Sequence, residues 1–437
     1  MKRIYTILFL IFVLQINSQT LYFPPLTGNT WDTLSPNRFN YCNERIDSLY
    51  NYLQAKNSKS FILLRNGKIV LEKYFGTFTI DSTWYWASAG KSLTGFMVGI
   101  AADKGLVNVN NKVSDYLWSN WTSAPLIKEN LIKVSDLLQM TSGLDPAMPL
   151  PCTNEDSSKA CLTYSINANT NWFYHSGAYR QLQAVISKVS GLSYNQVTDL
   201  WVESKTGMSG FWFNSIYYSK ARDMARFGLL NLNKGIWAND TVLKSSSYFN
   251  AMTNSSQTFN LAYGYLWWLC GKSSFKVPGI NTNIPGSLVS NAPNDAFCAL
   301  GKNDQKIYVV PSQSLVLVRQ GNHSGTSSLA VSDFDNVMWD YVNKLTQCPT
   351  TSIKNIITNN SIEIYPNPAS NILFIKNFNS NSFISKTEIY TFTEKLICES
   401  NDNEINVSEL NNGMYLIKCY LNNGSIFIKK IAIQKTN

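Results

Sequence analysis

The sequence predicts an α+β fold in which one antiparallel sheet carries helices on a face and a helical lobe is inserted between its strands. Strand-like patterns lie towards both ends of residues 40–346, whereas residues 88–250 have mainly helical periodicity. A third observation concerns residues 361–434, where short alternating strands are separated by asparagine-rich turns. This texture predicts a small C-terminal β-sandwich that is separate from the main domain.

The composition is that of a globular, exported protein. The chain has 437 residues, 44% hydrophobic and 15% charged, and can therefore bury a large core. Lys2 and Arg3 precede an apolar stretch that is too short to span a bilayer, so residues 1–18 are predicted to be a signal peptide. We predict the main domain at 19–348, a linker at 349–360 and the β-sandwich at 361–437. No later segment is predicted to cross a membrane, and the net charge of +9 is scattered, which disfavours nucleic acid as a partner.

The elements of the main domain follow from periodicity and turn signals. A helix is predicted at 43–56, and residues 61–75 alternate around Asn66-Gly67, a strong hairpin signal. Helices are predicted at 93–102, 131–140, 177–189 and 219–232, the last with Ser219 as its N-cap. Strands are expected at 263–270, 296–300, 307–310 and 315–319, and a final helix at 329–345.

Ser88 stands three residues before Lys91, where an apolar helix is predicted to start. At this spacing a lysine amine reaches the serine hydroxyl and takes its proton, provided that burial keeps the amine neutral. The helix N-terminus would also stabilise a developing oxyanion. Ser273 and Lys276 repeat the spacing by chance, so the surroundings of Ser88 and not the pattern alone favour it.

A catalytic serine also needs a group that protonates the leaving atom. Tyr174 and Ser176 place a phenol two residues before a second hydroxyl, at the predicted start of a helix. Tyr217 and Ser219 match the same pattern and are interpreted as a core tyrosine and a helix cap. We therefore expect Tyr174 to face Ser88 across the cleft.

Eight cysteines in an exported chain favour disulfide bridges. Buried free thiols are the alternative. With His175 and His323 as the two histidines and no Cys-x-x-Cys motif, neither a metal site nor a cofactor is expected. The positions suggest four pairs: Cys42 with Cys348, Cys152 with Cys161, Cys270 with Cys298, and Cys398 with Cys419.

Five motifs together resemble the serine β-lactamase-like hydrolases over residues 40–346. They are SAGK at 88–91, LLQMTSGL at 137–144, YHS at 174–176, ARDMARFG at 221–228 and YGYLWW at 263–268. Their order and spacing are similar to the class C branch, which includes esterases, D-aminopeptidases and 6-aminohexanoate-dimer hydrolases. The resemblance implies Ser88 as acyl-forming nucleophile, Lys91 as its base, Tyr174 as acid/base and Ser176 as a polar support.

One motif departs from that family. Relatives carry Lys-Thr-Gly or His-Thr-Gly on the strand that edges the cleft, whereas this chain reads Ala299-Leu300-Gly301 and then Lys302. The backbone N–H of Lys302 can still complete an oxyanion hole with that of Ser88, but Ala299 cannot hold a substrate carboxylate. The substrate pocket is predicted to include Trp86, Trp172, Gly301 and Gln305.

Residues 361–434 resemble the type A C-terminal sorting domains of type IX secretion. The similarity lies in YPNPAS at 365–370, IYTFTEK at 389–395, VSEL at 407–410 and GMYLI at 413–417. It implies the type IX secretion machinery as a partner and a secreted or cell-surface location, reached through the periplasm of a Gram-negative bacterium. The strand pattern by itself would instead predict a small carbohydrate-binding β-module.

The sequence thus predicts a secreted serine hydrolase that acts through an acyl-enzyme on a small ester or linear amide. β-Lactamase or D-aminopeptidase activity is an alternative, and a non-catalytic, penicillin-binding-like sensor of the same fold is another. A Ser-His-Asp hydrolase is disfavoured because the chain has no Gly-x-Ser-x-Gly motif.

Overall fold

A computed structural model describes residues 21–148, 150–153, 155–325, 330–348, 362–378, 382–393 and 395–435. The chain divides into two compact units, Met1–Cys348 and Pro349–Asn437. The predicted signal peptide and linker lie outside the described residues. Every helix among the described residues is too short or too polar to span a bilayer.

The helices of the first unit are mostly short, apart from the long helices near both ends and around the site. They are α1 (Asn43–Ala55), α2 (Gly90–Asp103), α3 (Ser114–Leu117), α4 (Leu126–Glu129), α5 (Val134–Gln139), α6 (Ser176–Ser190), α7 (Tyr194–Thr198), α8 (Ser204–Thr206), α9 (Ala221–Leu232), α10 (Ser246–Thr253) and α11 (Asp333–Asn343).

The strands of the first unit form one large sheet and three small ones. They are β1 (Ser58–Arg65), β2 (Lys68–Tyr74), β3 (Thr83–Tyr85), β4 (Gly210–Phe213), β5 (Ile216–Lys220), β6 (Ile236–Trp237), β7 (Asp240–Thr241), β8 (Trp268–Leu269), β9 (Ser274–Val277), β10 (Ile280–Pro285), β11 (Phe297–Gly301), β12 (Gln305–Val310) and β13 (Leu315–Gly321).

The large sheet has the order β2-β1-β13-β12-β11-β8 and is antiparallel throughout. Its central strands are buried along almost their whole length, because α9 packs against β1, β12 and β13 while α1 packs against β1 and α11. Strands covered on both faces become continuously apolar instead of alternating. The predicted architecture, with terminal elements in the sheet and a helical lobe between them, is confirmed.

The strands of the second unit are β14 (Ile362–Tyr365), β15 (Ile372–Asn377), β16 (Ile384–Tyr390), β17 (Leu396–Ser400), β18 (Glu404–Asn406), β19 (Gly413–Leu421) and β20 (Ile426–Ile433). They form two small antiparallel sheets, with orders β14-β15-β18 and β17-β16-β19-β20. A separate apolar core, which includes the side chains of Leu373 and Ile417, lies within this unit.

Two elements of the first unit differ from the sequence prediction. Ser219 is not a helix cap: it lies in β5, its hydroxyl accepts the indole N–H of Trp86 at 2.8 Å, and α9 begins two residues later after Lys220. The strand expected at 263–270 is reduced to β8, because Leu266 has a left-handed backbone conformation that interrupts extended structure.

The structure contains two of the four predicted disulfides, Cys42–Cys348 and Cys152–Cys161. The first joins the residue before α1 to the end of the unit, and the second closes a loop of the helical lobe. The other two predicted pairs are wrong, since Cys270, Cys298, Cys398 and Cys419 are free thiols.

The two predicted cysteine pairs that are not bonded differ in their surroundings. Cys398 lies on β17 and Cys419 on β19, and β16 runs between these strands, so the thiols are two strand spacings apart. Cys298 lies on β11 and Cys270 directly follows β8; their thiols are hydrogen-bonded to each other without a disulfide and are buried in the main core. Burial and contact with Cys270 raise the pKa of the Cys298 thiol, which keeps it protonated.

Candidate active site

Ser88 is held in a tight turn at the entrance to α2. Residues Ala87–Ala89 form one 3-10 turn that continues directly into the buried helix. The backbone N–H of Trp86 donates to the Tyr217 carbonyl at 2.8 Å, which fixes the start of this turn. Ala87 adopts a φ of 48°, a left-handed conformation that costs a non-glycine residue energy and is common at functional turns. The turn therefore presents Ser88 at a defined position at the N-terminal end of α2.

The end of β11 lies against this turn because residue 301 is glycine. A Cβ at Gly301 would stand 2.3 Å from the Trp86 carbonyl oxygen and 3.1 Å from the Ala89 nitrogen, so any other side chain would push the strand away. The neighbouring residue in the chain is Lys302, whose predicted contribution is its backbone N–H. The close approach brings this part of β11 beside the N-terminus of α2, as an oxyanion hole requires.

Lys91 is in hydrogen-bonding contact with the serine. Its Nζ donates to Ser88 Oγ at 2.9 Å, and only 4% of the residue is exposed. Burial lowers the pKa of Lys91 to about 8; the Glu155 carboxylate opposes this shift and the Arg180 guanidinium adds to it. Since the ordinary value is 10.5, a useful fraction of the amine is neutral near pH 8 and can accept the serine proton.

Tyr174 completes the group around Ser88. It hydrogen-bonds to the serine side chain, and burial raises the pKa of its phenol well above the usual value of 10. Lys91 Nζ lies 5.1 Å from the centre of the Tyr174 ring and 4.6 Å from that of Tyr179. Near neutral pH the phenol is protonated while the lysine can lose its proton, so the two groups suit the acid and the base of one reaction.

The two residues that follow Tyr174 lie at the start of α6. Ser176 is the first residue of this helix and is buried. His175 is the N-cap, and its Nδ1 accepts the backbone N–H of Ala178 at 3.1 Å. Burial lowers the pKa of His175 to about 4, so the imidazole is neutral at physiological pH. In the part of the chain that the structure describes, no cluster of His, Cys, Asp or Glu could hold a metal ion.

A cavity of about 240 Å³ opens beside Ser88 and Lys91. One wall is an ion pair between Glu155 and Arg180, whose Oε2 and Nη2 atoms are 2.6 Å apart. Glu155 belongs to the loop closed by the Cys152–Cys161 bridge, so this disulfide constrains a segment of the cavity wall. The cavity is lined by Ala87, Ser88, Lys91, Glu155, Tyr179, Arg180, Ser215, Ile216 and Lys302.

The predicted pocket residues do not line this cavity, and that part of the sequence prediction is wrong. Trp86 is 0% exposed and lies in the core, with its indole bonded to Ser219. Gln305 is equally buried, and its Nε2 donates to the backbone carbonyls of Asn303 and Gly321 at 2.9 and 2.7 Å. Both side chains hold the scaffold behind the site and do not contact the cavity.

The other two predicted pocket residues support the site from behind. Trp172 is buried, and its ring centre lies 6.1 Å from that of Tyr174 and 5.9 Å from that of Trp268. It therefore packs behind the phenol instead of lining the cavity. Gly301 contributes the close backbone approach already described, and no side chain.

Several cavity residues were missed at the sequence level. Tyr179 stands three residues after Ser176 on α6, a helical spacing that places both on one face and that could have identified it. Glu155 lies inside the loop between the two bonded cysteines, which marked that loop as constrained. No local signal marks Arg180, Ser215 or Ile216, because long-range packing brings them to the site.

Comparison with known proteins identifies a family for each of the two units. Residues 53–337 match the family model described as Beta-lactamase, and residues 363–434 match the Secretion system C-terminal sorting domain. The 6-aminohexanoate-dimer hydrolase of Paenarthrobacter ureafaciens is 25% identical over 277 residues, which cover 54% of this chain and 70% of the relative.

Solved structures agree on the fold. A putative β-lactamase from Bacteroides dorei has a TM-score of 0.57 at 16% identity, covering 70% of this chain and 100% of the other. A family VIII carboxylesterase has a TM-score of 0.52 at 14% identity, covering 70% of this chain and 98% of the other. At this level of identity the structural likeness is evidence for the fold and not for the substrate.

Proposed function

Because the chain belongs to the β-lactamase family, we propose that it is a secreted serine hydrolase that acts through an acyl-enzyme on a small ester or linear amide. The single observation that carries the proposal is the 2.9 Å contact between Lys91 Nζ and Ser88 Oγ, in a site where burial lowers the pKa of the lysine to about 8. Fold alone would not support an activity, since penicillin-binding-like relatives of this fold need not turn over a substrate.

In the proposed mechanism, neutral Lys91 takes the proton of Ser88 Oγ as this oxygen attacks the substrate carbonyl. The backbone N–H groups of Ser88 and Lys302 stabilise the oxyanion of the tetrahedral intermediate. Tyr174 donates its proton to the leaving oxygen or nitrogen and is reprotonated from Lys91. Water then attacks the acyl-serine with the same groups acting in reverse, and Ser176 serves as polar support next to Tyr174.

The substrate preference follows from position 299. Ala299 is fully buried on β11 and cannot supply the cation that holds a substrate carboxylate. Such a charge-assisted contact contributes roughly 1.5 to 3 kcal/mol. We therefore expect short acyl esters and linear amides to be better substrates than β-lactams. A panel of short nitrophenyl esters, aminohexanoate oligomers, D-amino acid amides and a cephalosporin tests this, and a cephalosporin hydrolysed as efficiently as the esters would contradict it.

The location rests on the second unit. A sorting domain at residues 363–434 implies handling by the secretion system and a secreted or cell-surface location. We propose that residues 1–18 direct the chain into the periplasm of a Gram-negative bacterium, and that the type IX machinery then carries it across the outer membrane.

The activity is tested by Ser88→Ala, with Ser273→Ala as a matched control at the other Ser-x-x-Lys pattern. We expect Ser88→Ala to abolish both turnover of a small chromogenic ester and labelling by a fluorophosphonate probe, while Ser273→Ala retains both. Labelling that survives in Ser88→Ala would place the nucleophile elsewhere. Wild-type labelling without turnover of any substrate in the panel would support the alternative of a non-catalytic sensor.

A further inference from the structure

A row of aromatic rings crosses the small sheet β3-β5-β4 beside the candidate active site. Tyr85, Tyr218 and Phe211 are directly opposite one another in the register of the three strands. The ring centres of Tyr85 and Tyr218 are 6.4 Å apart, and those of Tyr218 and Phe211 are 5.3 Å apart and almost parallel. Residues opposite one another in adjacent strands share a face of the sheet, so these rings form one strip.

The strip lies on the solvent side of the sheet. The alternate residues of the same strands, Trp212 and Tyr217, are buried, whereas Phe211 is 49% exposed and Phe213 is 60% exposed. Contiguous exposed apolar patches on a monomeric protein often mark ligand-binding or interaction sites. We name the outward side chains of Tyr85, Phe211, Phe213, Ile216 and Tyr218 the aromatic face.

The aromatic face is continuous with the catalytic cavity. Ile216 lines the cavity together with Ser88, and it is paired with Phe213 in the register of β5 and β4. On the other side, the hydroxyl of Tyr85 accepts the Asn303 amide at 2.7 Å, and Asn303 follows the cavity residue Lys302. Ile216 and Asn303 therefore connect the wall of the catalytic cavity to the aromatic face.

The chemistry of the face favours an uncharged hydrocarbon chain. Phe211, Phe213 and Ile216 offer no hydrogen-bonding groups. The side-chain polar atoms of the face are the hydroxyls of Tyr218 and of Tyr85, and the latter accepts a hydrogen bond from the Asn303 amide. Lys220, further along β5, is paired with Asp81 at 2.7 Å, so a carboxylate offsets its charge. A sugar ring would need polar partners beside the aromatic rings, whereas methylene groups need only apolar surface.

We propose that the aromatic face is an extended substrate-binding site, which takes a linear, uncharged hydrocarbon part of the ester or amide beyond the bond that is cleaved. This proposal rests on the proposed function, because it assigns a second binding region to the same hydrolase. It extends the proposed function to a substrate class, namely esters or amides that carry an unbranched chain beyond the bond that is cleaved at Ser88.

The test uses the double variant Phe211→Ala/Tyr218→Ala in the full-length protein. Two ester series are compared. In the first, nitrophenyl is the constant leaving group and the acid has two to ten carbons. In the second, acetate is the constant acyl group and the alcohol has two to ten carbons. With wild type, kcat/KM should rise with chain length in one of the two series, which identifies the side of the scissile bond that faces the rings. The double variant should lose about tenfold on the longest member of that series and less than twofold on the acetate of the shortest alcohol.

Trp118→Ala is the matched control, because Trp118 is also strongly exposed but contacts Lys188 near the distal end of α6. It should leave the chain-length dependence unchanged. Retained turnover of the shortest ester shows that the double variant is folded, and the single variant Phe211→Ala replaces it if that turnover is lost.

Two outcomes would overturn the inference while leaving the proposed function intact. One is turnover of the shortest esters with no rise in kcat/KM along either series. The other is a rise that the double variant retains. Absence of turnover for every ester would instead refute the proposed function itself.

Discussion

Replacing Lys91 by methionine should make the protein more stable while abolishing its activity. Methionine has a similar length and no charge, and it can keep the contacts with the rings of Tyr174 and Tyr179 that now surround the amine. The gain in stability arises because the buried ammonium group is disfavoured in the folded chain. A catalytic base with a lowered pKa therefore costs stability at neutral pH.

The magnitude follows from the pKa. Burial lowers it from 10.5 to about 8, and each pKa unit corresponds to about 1.4 kcal/mol, so the charged amine costs about 3 kcal/mol below pH 8. Loss of the hydrogen bond to Ser88 offsets about 1 kcal/mol of the gain. We expect the free energy of unfolding of Lys91→Met to exceed that of wild type by about 2 kcal/mol at pH 6.5.

The sign of the pH dependence is fixed by proton binding. Between pH 8 and 10.5 the unfolded chain binds more protons at Lys91 than the folded chain does, so wild type becomes more stable as the pH rises through this window. The variant lacks this titration. Its advantage should therefore shrink by about 2 kcal/mol between pH 6.5 and pH 9.5.

Urea unfolding followed by tryptophan fluorescence measures this difference in stability for the first unit of the chain, which contains Lys91. All twelve tryptophans lie between residues 31 and 339, so the signal reports the first unit and not the sorting domain. Lys276→Met is the control: Lys276 Nζ donates to Asn171 Oδ1 and Asn281 Oδ1, both at 2.9 Å, and losing these bonds should destabilise the protein by about 1 to 3 kcal/mol. A folded Lys91→Met less stable than wild type at pH 6.5, or a stability difference independent of pH, would refute the reasoning.

Three further predictions concern the pH profile, the second unit and the cysteines. The acylation rate should rise with pH through an apparent pKa of about 8, the value to which burial lowers the pKa of Lys91, and the measured midpoint would describe Lys91 and Tyr174 acting together. A flat rate from pH 6 to 10 would contradict Lys91 as the base. A chain ending at Cys348 should keep the full ester-hydrolysing activity, because each unit has its own core; lost turnover in a folded truncated protein would make the tail part of the site. Peptide mapping without reduction should find Cys152 joined to Cys161, a bridge that contributes roughly 2 to 4 kcal/mol to stability. It should also find free thiols at the four unpaired cysteines, whereas a Cys270–Cys298 peptide would contradict the structure.

Much of the fold was predictable because its signals are local. The hairpin at Asn66-Gly67 requires two positive φ angles, which these residues adopt at 53° and 80°. The start of α6 and the spacing of Ser88 and Lys91 are likewise encoded within one or two helical turns. These features needed no knowledge of distant parts of the chain.

The pocket was less predictable because its walls come from distant segments. An aromatic cluster such as WYW at 84–86 has the same appearance whether a ring faces a substrate or the core, and Trp86 turned out to face the core. Glu155, Arg180 and Ile216 meet only after the lobe has packed against the sheet. The pairing of Cys398 with Cys419 failed for a similar reason, since sequence proximity of two strands does not reveal that β16 lies between them.

The central claim is that Ser88 carries the acyl group during turnover. The most direct test is acid quenching of the enzyme during steady-state hydrolysis of a nitrophenyl ester, followed by peptide mass mapping. The account predicts one acyl adduct on the peptide that contains Ser88, and no adduct in Ser88→Ala. An acyl group on a different residue, or continued turnover in Ser88→Ala, would contradict it.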